Sequence, residues 1–431
     1  MLHMLQNTPR LLPALLVLLA VGIAAAQSPE ERTRQALDLI LSRKYDQFYA
    51  QFSPEMKKAI SLQEYSAQAD QIQAALGRPQ TQDPPQSIHG AGFTTVYIKL
   101  HWPKTTLNFI VSWNAAGLIQ GTWFRVPETE APYETPAYSK PASFSSRDVT
   151  VGDDDWKLPG TLTVPKGKGP FPALVLVHGS GPHDRDETVG SIRVFRDIAE
   201  GLATRGIAVL RYEKRTKVFP QKCAADPNFT MNQETVEDAL RAAALLRKQP
   251  SIDPRRVFVL GHSQGGYMAP RILKADPDLA GIIILAGSVR PLEVLIVEQT
   301  EYLFRLKGDL TPSQQAQLEA LKRDPWQVAP GITAAYKADL KDYNPPAVAA
   351  ATQAPILILQ GERDYQVTMT DFNLWKTGLA DRKNAAFHSY PKLNHLFLAG
   401  EGKSTPDEYQ AGGHVAVEVI DDMARWINPP R

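Results

Sequence analysis

Between residues 172 and 288, apolar segments typical of buried strands alternate with amphipathic segments typical of helices. The apolar segments are PALVLVHGSG (172–181), IAVLRYE (207–213), RRVFVLGHS (255–263) and LAGIIILAGS (279–288). The segments between them, such as IRVFRDIAEGLATRG, repeat apolar residues at helical spacing. Strands that are apolar on both faces need helices on both sides of the sheet. This alternation therefore predicts a doubly wound, mostly parallel α/β sheet.

The predicted strands and helices continue on both sides of residues 172–288. RDVTVGDDDWKLPGTLTVP (147–165) predicts a strand pair before the first buried strand, and PILILQGERD (355–364) predicts a further strand. The residues from about 289 to 350 carry helical patterns, and a structureless loop of that length is rare in a compact domain. We interpret this long connection as a helical cap over the carboxyl edge of the sheet.

The residues before 128 follow a different order. Helical spacing extends from 28 to about 76, and the alternating segments TTVYIKLHW, LNFIVSW and LIQGTWFRV then predict an antiparallel sheet. Helices followed by strands indicate a small α+β domain at 27–127. The proline-rich stretch at 128–146 is predicted to be a linker, with the α/β domain at 147–431.

The first 26 residues predict a cleavable secretory signal. They contain one basic residue, Arg10, no acidic residue, and the apolar run LLPALLVLLAVGIA before small residues at 24–26. Cleavage there leaves Gln27 as the mature N-terminus. A retained membrane anchor is the alternative, but the apolar run is short for a span. We expect a bacterial exported protein, periplasmic or extracellular, without stable membrane insertion after cleavage.

Composition excludes several classes of function. Hydrophobic residues make up 43% and charged residues 22% of the chain, as in ordinary globular proteins. After loss of Arg10, 46 basic residues balance 46 acidic ones, which argues against a nucleic-acid partner. Cys223 is the sole cysteine, so no intrachain disulfide or cysteine-based metal site can form. Composition leaves the oligomeric state open.

The motif LGHSQGG at 260–266 places Ser263 between glycines, directly after a buried strand and before a helix. This is the context of a nucleophile elbow, in which a tight turn projects the serine above the sheet. Gly261 and Gly265 are then required because side chains would not fit in the turn. An inert serine in a glycine-rich turn is the alternative.

A nucleophilic serine needs a histidine to accept its proton and an acid to orient that histidine. In this type of fold the chain order is serine, acid, histidine. Asp364, in the loop after the strand ILILQ, is the favoured acid. Glu362 is the rival, and its position closer to the strand end suggests that it points elsewhere.

Three histidines follow the acid. His395 is the favoured base because it lies in PKLNHLF, the loop directly after the last predicted strand. His388 falls within that strand, AAFHSYP, and His414 begins the last helical segment. A loop beyond the last strand is where a base can reach the serine.

A tetrahedral intermediate also needs two N–H donors for its oxyanion. One is expected at Gln264, the residue after the nucleophile, and the other at Ser180 in the loop HGSGP. Asp184, Arg185 and Asp186 follow this loop. They either shape the pocket or, for Arg185, pair with an acid that holds the loop in place.

The stretches HGSGPHDRDE, FRDIAEGLATRGIAVLRYEKRT, GHSQGG, GERD and NHLF together resemble the α/β-hydrolase superfamily over about 145–431. The resemblance is to bacterial two-domain serine esterases that have a helical cap. It implies a Ser-His-Asp carboxylic-ester hydrolase without a metal or cofactor, acting on a small-molecule ester, with short acyl chains expected. The segment 28–127 is similar, more weakly, to small domains of the nuclear-transport-factor-like kind.

Related families fit less well at specific positions. Dienelactone-hydrolase relatives have cysteine at the elbow, and large serine oligopeptidases need a propeller that the segment before residue 147 is too short to form. The leading hypothesis is an exported serine carboxylesterase. Acyl transfer or amide and peptide cleavage by the same residues is the alternative, and a ligand-binding protein without catalysis is a third.

Overall fold

The computed structural model describes residues 27–90, 93–103, 105–125, 133–152, 155–306, 308–328 and 332–429. The predicted signal at 1–26 lies outside these residues. The described chain forms two compact units. The first contains the residues up to Ile88 with Thr94–Arg125, and the second contains the residues from 133 onward.

The first unit has helices followed by an antiparallel sheet. Its helices are α1 (Pro29–Leu41), α2 (Tyr45–Ala50), α3 (Pro54–Ala59) and α4 (Leu62–Leu76). Its strands are β1 (Thr81–Gln82), β2 (Gln86–Gly90), β3 (Phe93–Trp102), β4 (Thr105–Asn114) and β5 (Ile119–Arg125). Helices and strands therefore occur in the predicted order.

Two helix caps and one buried hydrogen bond stabilise this unit. Ser28 and Ser61 each begin a helix with a capping box, in which serine and a glutamate three residues later exchange hydrogen bonds. The buried Trp113 of β4 donates through Nε1 to Thr33 Oγ1 of α1 at 2.8 Å. That bond satisfies the indole N–H within the apolar core between helices and sheet.

The second unit alternates strands and helices. Its strands are β6 (Phe144–Val151), β7 (Leu158–Pro165), β8 (Phe171–Val177), β9 (Thr188–Val189), β10 (Ile192–Arg193), β11 (Ala208–Tyr212), β12 (Ile252–His262), β13 (Gly281–Leu285), β14 (Ile356–Gly361) and β15 (Ala385–Tyr390). Its helices are α5 (Val194–Thr204), α6 (Arg215–Val218), α7 (Pro220–Ala225), α8 (Glu237–Arg247), α9 (Gln264–Ala275), α10 (Leu292–Arg305), α11 (Pro312–Arg323), α12 (Ala334–Leu340), α13 (Pro345–Ala350), α14 (Met369–Gly378) and α15 (Val417–Ile427).

Among the described residues, the main sheet has eight strands in the order β15-β14-β13-β12-β8-β11-β7-β6. The strands from β15 to β11 pair in parallel, whereas β7 and β6 are antiparallel at one edge. This confirms the predicted mostly parallel α/β sheet. The carboxyl ends of β8, β12, β14 and β15 consequently meet at one edge of the sheet.

Strand β12 shows why the apolar runs are continuous. Val257 and Val259 belong to the core cluster on one face of the sheet, whereas Phe258 and Leu260 belong to the cluster on the other face. Helices α8, α9 and α14 cover the first face, and α5 and α15 cover the second. Both faces are buried, so no polar alternation appears in the sequence.

Residues from 133 to 143, within the predicted linker, pack on α5. Tyr133 donates from its hydroxyl to Asp197 at 2.8 Å, and Ser139 Oγ donates to Glu200 at 3.0 Å. Tyr138 packs against the apolar cluster around α5 and α15. Aromatic and hydroxyl side chains thus give this proline-rich segment specific partners on the second unit.

The segment between β13 and β14 forms the helices α10 to α13. Helix α10 lies beside the loop after β14, where Tyr302 stacks on Tyr365 with ring centroids 4.8 Å apart. Helix α12 is joined to α9 by the Arg271–Asp339 ion pair at 2.8 Å. Helix α10 thus lies where the predicted cap requires, beside the carboxyl edge of the sheet, whereas α12 and α13 join the core cluster on one face of the sheet.

One buried carboxylate anchors the start of this cap. Asp371 of α14 is fully buried and accepts hydrogen bonds from the backbone N–H groups of Val289 and Arg290. Its second oxygen binds the Arg290 guanidinium at 2.8 Å. Arg290 also pairs with Glu298, which is 47% exposed. The two partners of one arginine therefore differ sharply in burial.

We predict that Asp371→Ala lowers the free energy of unfolding by about 3 kcal/mol, because the partly buried Arg290 guanidinium and two N–H groups lose their fully buried acceptor. Glu298→Ala is the matched control and should change it by less than about 1 kcal/mol, because its pair with Arg290 is exposed to solvent. Urea denaturation of both variants measures the difference. Equal losses would contradict the anchoring role of Asp371.

Candidate active site

Ser263 occupies a strained turn between β12 and α9. Its φ is 52°, in the left-handed region that non-glycine residues seldom adopt. A Cβ on Gly261 would lie 2.1 Å from the Gly265 carbonyl oxygen, and one on Gly265 would lie 2.2 Å from the Val177 carbonyl oxygen. Backbone packs directly on backbone here, so both glycines are sterically required.

Asp364 and His395 come from the loops after β14 and β15, and they are in direct contact. His395 Nδ1 lies 2.6 Å from Asp364 Oδ2, and both residues are buried. The other Asp364 oxygen accepts from the backbone N–H groups of Gln366 at 2.7 Å and Val367 at 2.9 Å. The carboxylate is thus held rigidly and can hold the imidazole in one orientation.

Ser263 and His395 line one cavity of about 220 Å³. Ser180 borders the same cavity, and Gln264 follows Ser263 at the start of α9. The predicted nucleophile, base and one oxyanion residue are therefore neighbours around one space. The rest of its wall is partly aromatic and aliphatic, namely Val189, Tyr365, Leu396, Pro406 and Tyr409, and partly polar, namely His183, Glu187, His262 and Gln366.

The rival acid and bases make other contacts. Glu362 accepts a hydrogen bond from Ser389 Oγ at 2.8 Å on the exposed side of β15. His388 is half-exposed and stacks on Tyr390. His414 lies 3.2 Å from the buried Asp197 carboxylate, against α5. The contacts of these three residues are with partners other than Asp364 or Ser263.

The loop after β8 is held by its own acidic and basic residues. Asp184 accepts from the backbone N–H groups of Asp186 and Thr188. Arg185 donates to Glu213 at 2.8 Å and to Thr161 at 2.8 Å. Arg185 therefore pairs with an acid that holds the loop, the second of the two predicted roles.

A buried pair that the sequence did not reveal lies next to the elbow and borders the same cavity. Glu187 and His262 are 1% and 3% exposed, and Glu187 Oε2 lies 2.9 Å from His262 Nδ1 as an ion pair rather than an aligned hydrogen bond. His262 Nε2 lies 3.0 Å from the His395 carbonyl oxygen. Since both ring nitrogens face acceptors, the imidazole is expected to carry both protons.

The charges of this pair depend on each other. Burial by itself lowers the pKa of His262, but the Glu187 carboxylate and the His395 carbonyl oxygen outweigh it, so the net pKa is raised. Burial likewise favours a protonated Glu187, yet His262 lowers its pKa to about 2. In the sequence, only the position of His262 next to Ser263 in GHSQGG could have suggested this pair. No motif around Glu187 indicates that it is buried against a histidine.

The comparison with known sequences agrees with this architecture. Esterase EstD of Thermotoga maritima is 39% identical over 383 residues, which is 87% of this chain and 89% of EstD. The chain belongs to the α/β-hydrolase superfamily. It is therefore a hydrolase, and the predicted resemblance is confirmed at this level.

The sequence model of the prolyl oligopeptidase family matches residues 200–412 of this α/β hydrolase. This segment is therefore similar to the serine oligopeptidase family, which was disfavoured above because the residues before 147 are too few for a propeller. Esterase FrsA of Klebsiella pneumoniae is 28% identical over 159 residues, or 35% of each chain. The solved structure of the Pyrobaculum calidifontis esterase is 18% identical, with a TM-score of 0.44. The match covers 66% of this chain and 85% of the esterase chain.

Other parts of the hydrolase offer little further chemistry. Cys223 is buried, and burial raises the pKa of its thiol to about 11. Within the described residues, no group of three or more His, Cys, Asp or Glu side chains is arranged to hold a metal ion. In the same part of the chain, every helix is too short or too polar to cross a bilayer.

We predict that Glu187→Gln destabilises the hydrolase in a pH-dependent way. The pKa of His262 is raised, so its charge stabilises the fold fully below its ordinary pKa of about 6.5 and ceases to do so as pH rises through the raised value. The pKa of Glu187 is lowered, so its charge contributes fully above its ordinary pKa of about 4.5. The stability lost by the variant should therefore be greater near pH ~5.5 than near pH ~9.

Denaturant unfolding at the two pH values measures this difference. Glu213→Gln is the matched control, because its partner Arg185 stays charged at both pH values and its effect should not change with pH. A Glu187→Gln effect of equal size at both values would show that the charge of His262 does not change between them, contrary to the prediction.

Proposed function

We propose that this hydrolase is an exported serine carboxylesterase that cleaves short-chain carboxylic esters through an acyl-enzyme on Ser263. The observation that carries the proposal is the Asp364–His395 contact of 2.6 Å at the cavity that Ser263 also lines. A serine on a strained elbow, facing a cavity shared with a carboxylate-bound histidine, has the parts that acyl transfer requires.

In the first step, His395 Nε2 accepts the Ser263 hydroxyl proton while Oγ bonds to the ester carbonyl carbon. Asp364 stabilises the imidazolium that forms, because its carboxylate already contacts Nδ1. The N–H groups of Ser180 and Gln264 bind the negative oxygen of the tetrahedral intermediate. The intermediate collapses when His395 gives the proton to the leaving alcohol, and the acyl group remains on Ser263.

In the second step, a water molecule replaces the alcohol. His395 accepts a proton from that water, whose oxygen bonds to the acyl carbon, and the same two N–H groups bind the oxyanion. Collapse breaks the bond to Ser263 Oγ, which regains its proton from His395. The products are a carboxylic acid and the free enzyme, so neither metal nor cofactor is required.

The size and wall of the cavity support short acyl chains. Its volume of about 220 Å³ is below the range of roughly 300–1,000 Å³ found for sites that hold drug-sized ligands. The Tyr365 ring on its wall is backed by Tyr302 of α10 in a parallel stack. An aromatic wall supported by the cap leaves little room for a long alkyl chain.

Ester cleavage is favoured because the relative covering 89% of its own length is named an esterase. Amide or peptide cleavage by the same residues is the second candidate, and the match to the prolyl oligopeptidase family favours it. Export is proposed from the apolar segment at 11–24 and the alanines at 24–26.

We predict that the protein hydrolyses p-nitrophenyl acetate and butyrate much faster than the palmitate ester. Ser263→Ala should abolish this activity, and Asp364→Asn should lower kcat by about 10⁴-fold at neutral pH, because the amide would hold His395 in the wrong tautomer. Spectrophotometric release of p-nitrophenol measures both. Activity that survives in Ser263→Ala would refute the proposed nucleophile.

The rival residues provide matched controls. Glu362→Gln and His388→Gln remove the rival acid and one rival histidine, yet both should keep wild-type kcat, since their partners lie elsewhere. Faster cleavage of an aminoacyl p-nitroanilide than of the acetate ester would favour the peptidase alternative. An acetylated product formed from an added alcohol would instead indicate acyl transfer.

A further inference from the structure

Lys214 is a buried cation that the catalytic scheme does not use. It follows β11 and is 2% exposed. Its Nζ donates to the Gly179 carbonyl oxygen at 2.7 Å and lies 2.7 Å from Glu234 Oε1. A buried ammonium is costly unless it is paired, and here one contact goes to the loop that carries Ser180.

The Gly179 carbonyl and the Ser180 N–H belong to the same peptide unit. This peptide is trans, because among the described residues the one cis peptide bond is Gly169–Pro170. In a trans peptide the C=O and N–H bonds lie in one plane and point in opposite directions. Holding the Gly179 oxygen against Lys214 therefore aims the Ser180 N–H away from Lys214.

The neighbouring peptide groups are held as well. The Gly179 N–H donates to Glu187 Oε1 at 2.5 Å, and the Ser180 carbonyl oxygen lies 2.6 Å from His183 Nε2. Within the described part of the chain, the Ser180 N–H itself has no protein acceptor. The donor expected to bind the oxyanion is thus open, and among the described residues the Gly181 N–H of the next peptide is open as well.

Glu234 connects Lys214 to other elements around the elbow. Its second oxygen accepts from the Tyr336 hydroxyl of α12 at 2.8 Å. Its neighbour Thr235 accepts from the Gln264 side chain at 3.1 Å. Both residues belong to the π-helical turn Asn232–Val236 before α8, a kind of turn that is often found at functional sites.

We propose that Lys214 is a positioning residue for the oxyanion hole. It orients the Gly179–Ser180 peptide, and its charge polarises that peptide so that the Ser180 N–H becomes a stronger donor. The proposal rests on the proposed function, because it assumes attack by Ser263. A purely structural Lys214–Glu234 pair would stabilise the fold without affecting one step of the reaction more than another.

The test uses the double variant Lys214→Met with Glu234→Gln, which removes both charges and leaves no buried ion unpaired. Removing an oxyanion donor outright lowers kcat by about 10²–10³-fold, so misdirecting one should lower it by roughly 10- to 100-fold. KM for p-nitrophenyl acetate should stay within about twofold, because the N–H donor binds the uncharged carbonyl of the bound ester more weakly than it binds the oxyanion. A trifluoromethyl ketone, which forms an oxyanion on reaction with Ser263, should bind more weakly by about the same factor as kcat falls.

The matched control is Arg215→Met with Asp238→Asn. This neighbouring ion pair is equally buried, with 1% exposure on both sides, and its atoms contact each other at 2.6 Å. Its loss should lower the melting temperature while kcat and ketone binding stay unchanged. Lys214→Gln with Glu234→Gln serves as a second test variant if the first does not fold, because it keeps an N–H donor at position 214 without either charge. We expect it to lose roughly 3- to 10-fold in kcat.

The outcomes separate the two proposals. A wild-type protein that is inert to esters and to the ketone contradicts the proposed function, and Lys214 then has no oxyanion hole to position. A wild-type protein that reacts through Ser263, with folded Lys214 variants equal to it in kcat and ketone binding, contradicts the role of Lys214 alone. A selective loss of kcat in those variants, absent from the Arg215 control, supports it.

Discussion

The close packing of backbone on backbone around Ser263 is the constraint on which the rest of this site depends. Gly261 and Gly265 leave no space for a side chain, and Ser263 takes a φ of 52° between β12 and α9. Such a conformation is costly by itself and persists only if surrounding structure holds it. The buried strand before it and the apolar helix after it supply that support, because both faces of the sheet are covered.

Buried charges around the turn are arranged in compensating pairs. Glu187 pairs with His262 next to the elbow, and Lys214 pairs with Glu234 beside the loop after β8. Each pair also binds backbone, through the Gly179 N–H, the Gly179 carbonyl or the His395 carbonyl. Buried ion pairs contribute little net stability, so their contacts with these backbone groups suggest that their value lies in geometry.

Much of the architecture could be predicted because its signals are local. Continuous apolar runs indicated parallel strands, and the chain order of Ser263, Asp364 and His395 indicated which loops would meet at one edge. Pairs such as Glu187 with His262, or Lys214 with Glu234, could not be predicted. Their members are separated by many residues, and a single glutamate or lysine in a sequence does not reveal whether it will be buried or which charge it will face. The contacts of 133–143 with α5 were hidden for the same reason, since proline-rich composition shows where regular structure stops and not what the segment contacts.

The sequence by itself determined the type of fold, the position of the elbow and the loops that could supply an acid and a base. These follow from periodicity, from the steric needs of glycine and from strand order, all of which act over short stretches of chain. Only the tertiary structure decided that Asp364 rather than Glu362 contacts His395, and that Lys214 donates a hydrogen bond to the Gly179 carbonyl oxygen. Those choices depend on distances between segments far apart in the chain, which packing sets and local sequence does not encode.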